Sequence, residues 1–326
     1  MTGGPRVVAF GEMLLRLSPP GQEQLFDSPE LRTFFGGAEA NVAVALSHLG
    51  VPADYVTRLP EGAIGDAALA ALRREGVGTD RIVRGGARLG LYFVEPGADS
   101  RAMRVIYDRT GSAFATINAS DFDWPAILAG AGWFHATGIT PALGDGPAAA
   151  LARAVACARA AHVPVSLDLN YREALWRGRE PRTVIEPLAR SADVLIGNRE
   201  AVRGLLGIDP GGDALGQGLA EQYGCSLVVI TRREILGPQE HAWSASLFDG
   251  ASRAATESRR HVVQVVDRVG GGDSFAAGLI AALLERRPPA QALEFAVCAG
   301  ALKLGVPGDF GRATRDEVER LVRQCT

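Results

Sequence analysis

Between residues 124 and 231 the chain repeats one pattern, in which a short run of β-formers is followed by a segment long enough for a helix. The spacing predicts strands over 132–138, 163–169, 194–196 and 227–231, with helices over 147–161, 183–191, 200–206 and 214–223 between them. Strands joined through helices run parallel, their crossovers are right-handed, and the helices end up on both faces. The fold class is therefore α/β, built on a mainly parallel, doubly covered sheet. Ligands of such sheets lie beyond the carboxyl ends of the strands. Asn170, Tyr171, Arg172, Asn198 and Thr231 all fall there.

The first third of the chain departs from this pattern. Residues 6–10 read as a strand, but no Gly-x-Gly-x-x-Gly follows, so the dinucleotide fingerprint is missing where it belongs. Short strands are expected over 13–17, 33–35, 54–58 and 81–84, and a helix over 66–75. The β-rich runs 89–95 and 103–108 have only a polar turn at 97–100 between them, which predicts a hairpin. Joined to 13–17 and 33–35, it would make a small β-sheet standing off the main domain. With 326 residues, 47% of them hydrophobic, and no repeat or low-complexity linker, residues 1–326 read as a single domain. That small sheet would grow out of approximately 12–36 and 88–110.

Near the other end, a β-branched run at 262–266 leads through Asp267 into Gly270, Gly271 and Gly272, then Asp273, Ser274 and Phe275 at the start of an apolar helix. Glycines let the backbone turn its N–H groups towards one point, and a helix start adds unpaired N–H groups with a partial positive charge. A phosphate held there lies within reach of Asp273, which could accept a hydrogen bond from an attacking hydroxyl. Phosphoryl transfer has a loose transition state, so such a carboxylate need not be strongly basic. The same residues would also serve as a tight turn with Asp273 as a plain cap. A second diglycine, Gly36-Gly37, opens a helix through Ala38, Glu39, Ala40 and Asn41, and the Asn41 amide suits sugar hydroxyls.

Lys303 is the only lysine, set in Ala-Leu-Lys-Leu-Gly, which excludes a P-loop and a protein-kinase lysine. Phosphate handling must rest on backbone amides and arginines. A formal net charge of −3 offers no footprint for nucleic acid, and no apolar run suggests a membrane span or an export signal. The sequence reads as a cytoplasmic chain. Cys157, Cys225, Cys298 and Cys325 and the five histidines show no zinc-ligand spacing, so isolated thiols and no structural zinc are expected.

The strand, Asp267, Gly-x-Gly-Asp-x-Phe stretch resembles the C-terminal signature of the ribokinase-like (PfkB-type) carbohydrate kinases, and Gly-Gly-x-x-x-Asn their N-terminal one. The resemblance implies a ribokinase-like fold using ATP and Mg2+, with Asp273 as catalytic base and Gly270, Gly271 and Gly272 holding the phosphate. It also implies that Gly37, Ala38, Glu39, Ala40 and Asn41 contact sugar, and that Asn170, Asn198 and Thr231 approach ATP. The family's lid closes over the sugar and often supplies a subunit interface, so a homo-oligomer is expected.

Two arginines bear on the substrate, since a planar guanidinium fork matches a carboxylate, although either could be a surface ion pair. Arg109 in Tyr-x-Arg-x-Gly-Ser-Ala, Arg172 in Asp-x-Asn-Tyr-Arg before Leu-Trp, and Val-Asp-Arg-Val-Gly-Gly-Gly-Asp look like the 2-keto-3-deoxygluconate kinase branch. That likeness implies phosphorylation of the sugar acid's terminal hydroxyl, with Arg109 and Arg172 on its carboxylate. Tyr92 and Tyr107 would line the lid side, with Asp309 a further substrate candidate. One departure concerns the metal: the family's Asn-x-x-Glu reads Asn198-Arg199-Glu200-Ala201, leaving the magnesium ligands unknown unless Glu200 substitutes. A fructokinase-like neutral-sugar kinase and a non-catalytic sugar-binding protein remain the alternatives.

Overall fold

In the computed structural model, which describes residues 5–27, 29–97, 103–209, 211–212 and 214–324, the strands are as follows. They are β1 (Arg6–Phe10), β2 (Leu14–Ser18), β3 (Arg32–Gly36), β4 (Ala53–Val56), β5 (Arg58–Leu59), β6 (Val83–Arg84), β7 (Gly90–Glu95) and β8 (Arg104–Asp108). Then come β9 (Ala131–Thr137), β10 (Val165–Asp168), β11 (Val194–Asn198), β12 (Leu227–Ile235), β13 (Glu240–Asp249), β14 (Ala254–Glu257) and β15 (His261–Gln264). The helices are α1 (Ala38–His48), α2 (Ala63–Arg74), α3 (Trp124–Leu128), α4 (Asp145–Ala160) and α5 (Pro181–Ala189). They continue with α6 (Arg199–Leu206), α7 (Leu215–Tyr223), α8 (Gly271–Leu284), α9 (Pro289–Leu304) and α10 (Arg315–Gln324).

The main sheet runs β14-β13-β12-β11-β10-β9-β1-β4, parallel from β12 to β4. Because side chains alternate across a strand, Val7 and Ala9 pack into one core with α1, α2, α8 and α9, while Val8 and Phe10 pack into a second with α3 to α7. Burial on both faces is why the parallel strands read as continuous apolar runs. The small sheet has the order β3-β2-β7-β8, with β2 and β7 parallel and the outer pairs antiparallel. Leu14, Tyr92 and Val94 form its own small cluster.

Three expectations need correction. The strand expected over 262–266 is β15, which ends at Gln264 and pairs antiparallel with β13. It is a peripheral ribbon whose Val262 is 52% exposed, and it stops short of the glycines. β12 continues to Ile235 and turns back as β13, an extension that the charged residues Arg232, Arg233 and Glu234 disguise as loop. The segments 54–58 and 81–84 shrink to β4 with the two-residue pair β5 and β6. The turn expected at 97–100 falls largely outside the described residues, as does Cys325.

Candidate active site

The glycine stretch sits where α8 begins. Gly270 is the N-cap, with φ of 85°, and a Cβ there would collide with the carbonyl oxygen of Asp309. Only glycine fits both demands. The first amides of a helix have no acceptor within it, and among the described residues those of Gly271, Gly272 and Asp273 find no backbone acceptor elsewhere. A Cβ built on Gly272 meets nothing within 4 Å, so space lies open beside those amides. α8 is apolar all round and buried against α1 and α9, which fixes the direction of its N-terminus.

Asp273 is 9% exposed, and its Oδ2 accepts a 2.7 Å hydrogen bond from Asn41 Nδ2. Asn41 is itself buried, and its Oδ1 has no hydrogen-bond partner among the described residues. The two diglycine helices therefore converge, with Asn41 beside the base. Burial pushes the Asp273 carboxyl up to about 6, against the lowering effects of the Asn41 bond and Arg172. Two further buried carboxylates lie close enough to repel. Asp168, at the end of β10, is pushed up to about 7 by burial and then by Asp273. Glu39 is likewise pushed up to about 7 by burial, although Thr137 and Thr140 donate to it. Glu39 is thus held between α1 and β9, and sequence reasoning missed Asp168 altogether.

Beneath the glycine loop lies a charged network centred on Arg16, which no motif announced. Arg16, on β2, pairs with Asp267 at 2.7 Å and Asp309 at 3.1 Å, with only 4% of its side chain exposed. Asp267 also accepts the amides of Val269 and Gly308, and the Tyr92 hydroxyl donates to Asp309. Lys303 is 1% exposed, donates to the Val306 carbonyl, and has its pKa lowered by burial. The sequence showed no distinguishing neighbours for it, yet the charges of Asp267, Asp309, Arg16 and Asp273 all act on it. Asp309 is held inside this network, 2% exposed.

At the lid's base, Arg109 is 7% exposed and already engaged. Its Nε donates to Glu12 Oε2 at 2.7 Å, its Nη2 pairs with the same carboxylate, and Ser112 donates to the other oxygen. Its guanidinium lies 5.6 Å from the centre of the Tyr107 ring, which stacks on Tyr92 at 6.1 Å. Gly37 passes so close to the Glu12 carbonyl that a Cβ would strike it.

Around the strand ends, Asn170 has φ of 37° and its amide donates to Asp168, while Asn198 Oδ1 accepts the amide of Ala201 and so caps α6. Thr231 donates to the Gly197 carbonyl. Ala201 is packed into the core at 2% exposure. Glu200 is exposed, and its charge is felt by Tyr171 and Arg233. Arg172, Arg233 and Arg268 have no ion-pair partner among the described residues. The protein packed around Arg233 lowers its pKa, Glu200 opposes that, and Arg172 adds to it; for Arg268 burial is followed by repulsion from Arg233. The three arginines are thus near enough to act on one another or on Asp273, with the charges of Glu200 and Asp267 opposing; Arg233 was not expected from any motif.

Comparison with known proteins fits this geometry. Residues 5–311 match the pfkB family carbohydrate kinase. A solved structure described as 2-dehydro-3-deoxygluconokinase, from Thermotoga maritima, is 41% identical and superposes with a TM-score of 0.95 over 98% of both chains. The 2-dehydro-3-deoxygalactonokinase of Haloferax volcanii is 33% identical over 97% of this chain and 96% of its own. Fructokinase-1 of Zea mays is 32% identical over 99% of each.

Proposed function

The chain belongs to the pfkB family of carbohydrate kinases, and from that premise we propose that it transfers the terminal phosphoryl group of ATP to the terminal hydroxyl of 2-keto-3-deoxygluconate. This sugar acid is also called 2-dehydro-3-deoxygluconate. The observation that carries the choice of a sugar acid is Arg172. It stands near enough to Asp273 for its charge to lower that carboxyl, and no carboxylate of the described chain pairs with it. A ligand that places its hydroxyl at Asp273 and its carboxylate at Arg172 answers both groups. Tyr92, Tyr107 and the backbone of Gly37 to Asn41 line the remaining sides, with Arg109, held by Glu12, as a wall of the lid.

In the reaction, Asp273 accepts a hydrogen bond from the sugar hydroxyl and takes its proton late, as the oxygen attacks phosphorus and the bond to the ADP oxygen breaks. The open amides of Gly271, Gly272 and Asp273 hold the migrating group, while Arg233 and Arg268, with Asn198 and Thr231 nearby, face the ATP phosphates. Bound Mg2+ would neutralise phosphate charge. Asp168 suits it, as a buried carboxylate already strained by neighbouring negative charge, and exposed Glu200 is the second carboxylate at the strand ends. We place the enzyme in the cytoplasm as a homo-oligomer joined through the lid; no helix among the described residues is long and apolar enough to cross a membrane.

The competing acceptors are the galactonate-derived ketodeoxy acid, favoured by the archaeal relative, and fructose, favoured by the plant one. ADP release measured across the three, with parent and Arg172→Ala, separates them. We expect the gluconate-derived acid to give the highest kcat/KM. Loss of a charge-assisted contact of about 1.5–3 kcal/mol should raise its KM about 10- to 100-fold in the variant and leave fructose kinetics unchanged. Preferred use of fructose with no effect of the substitution would refute the sugar-acid reading.

A pH profile tests the base. Its folded pKa lies above the ordinary aspartate value, so the active ionised form is lost as pH falls through about 6. The kcat/KM should drop about tenfold per pH unit below that point and level off above it. The three carboxylates titrate as a coupled set, so the midpoint belongs to all of them. A profile flat down to 3.8, the unperturbed aspartate value, contradicts the assignment.

A further inference from the structure

On α9, one turn apart, Glu294 and Cys298 leave the same face of the helix. His261, the first residue of β15, lies against them. Its Nε2 is 3.9 Å from Cys298 Sγ and 3.5 Å from Glu294 Oε2, and the three donor atoms lie within 4.8 Å of one another. A tetrahedral zinc ion with ordinary bond lengths holds a nitrogen and a thiolate ligand about 3.6 Å apart, and a nitrogen and a carboxylate ligand about 3.4 Å apart. The two separations from His261 Nε2 differ from these by a few tenths of an ångström. We propose that His261, Glu294 and Cys298 form a binding site for a zinc-class divalent transition metal, separate from the magnesium of phosphoryl transfer.

Two further observations support the site. The other oxygen of Glu294 accepts the amide of Arg259 at 2.6 Å, which turns Oε2 towards the imidazole in the way that outer hydrogen bonds orient metal ligands. Cys298 is 0% and His261 6% exposed, whereas 19% of the Glu294 side chain reaches solvent, so the carboxylate is the ligand that meets water. Thiolate and imidazole select zinc or cobalt over magnesium and calcium. Binding releases the Cys298 proton to solvent, with no change of oxidation state. The bond would staple β15 to α9. Cys298 stands about 9 Å along the helix from Leu304, whose carbonyl accepts the amides of Val266 and Asp267 on the way to Gly270. Sequence spacing could not show the site, because His261 and Cys298 are 37 positions apart.

The test is titration of chelator-stripped protein with Co2+, in the absence of ATP and Mg2+. We expect one equivalent to give intense tetrahedral d–d bands with thiolate-to-cobalt charge transfer, all removed by Zn2+. Cys298→Ser should abolish the charge-transfer band, and Glu294→Gln, at the pocket's rim where folding is not at stake, should weaken binding at least tenfold. Cys157→Ser should change nothing. An octahedral spectrum without thiolate absorption, a charge-transfer band that survives Cys298→Ser, or unchanged affinity in Glu294→Gln overturns the proposal.

Discussion

Asp273→Asn should fold normally and lose about 10²- to 10⁴-fold in kcat, the range associated with removing a positioned proton acceptor. The amide replaces the carboxylate at nearly the same volume, and its oxygen can still accept from Asn41 Nδ2, now 2.7 Å from Asp273 Oδ2. What disappears is the charge that draws the hydroxyl proton. The sign of the stability change follows from the raised carboxyl. A folded pKa of about 6, above the unfolded 3.8, means that the native state gains stability from protonation below 3.8 and loses it as pH rises through 6. At neutral pH the parent carries that loss and the amide variant does not. Steady-state rates with thermal melts should therefore show a catalytically crippled protein that melts no lower than its parent. Parental turnover by the variant would end the assignment of Asp273 as base.

Arg109→Ala should instead act on stability, lowering it by about 3–5 kcal/mol, because it strands the Glu12 carboxylate in the interior. Glu12 has 1% of its side chain exposed and Arg109 7%, so water cannot replace the lost partner without opening the lid's base. A shift on the order of 2 °C in Tm per kcal/mol would be plain in a melt. Glu12→Gln combined with Arg109→Met should recover much of the loss, since a neutral pair leaves no buried charge. Were Arg109 a free ligand for the substrate carboxylate, Arg109→Ala would raise KM and leave the melt alone, so the two measurements together decide its role.

The main sheet was legible because strands buried on both faces, such as Val194 to Ile196, must be apolar throughout, and the helices between them must be long enough to cross over. Gly270 to Asp273 were legible as a helix start because glycine has so few substitutes at a positive φ. What stayed hidden depends on contacts remote in the chain. Arg16 looks like any arginine on a short strand, and only Asp309, 293 positions away, shows that it is buried. Arg109 sits in a motif that suggests a ligand, while Glu12, 97 positions earlier, holds it. β13 was missed although Trp243, Ala245 and Leu247 alternate into the core, because the charged Arg232, Arg233 and Glu234 hide the extension of β12 that leads into it.

The seclusion of Lys303 gives the molecule a built-in reporter. It is the only lysine and is 1% exposed, so an amine-reactive reagent meets no side-chain target on the closed protein apart from any terminal amine. Acylation of that single residue, followed by mass spectrometry over time, counts the moments at which the floor under the glycines opens. Ligands that quiet the floor would slow the clock.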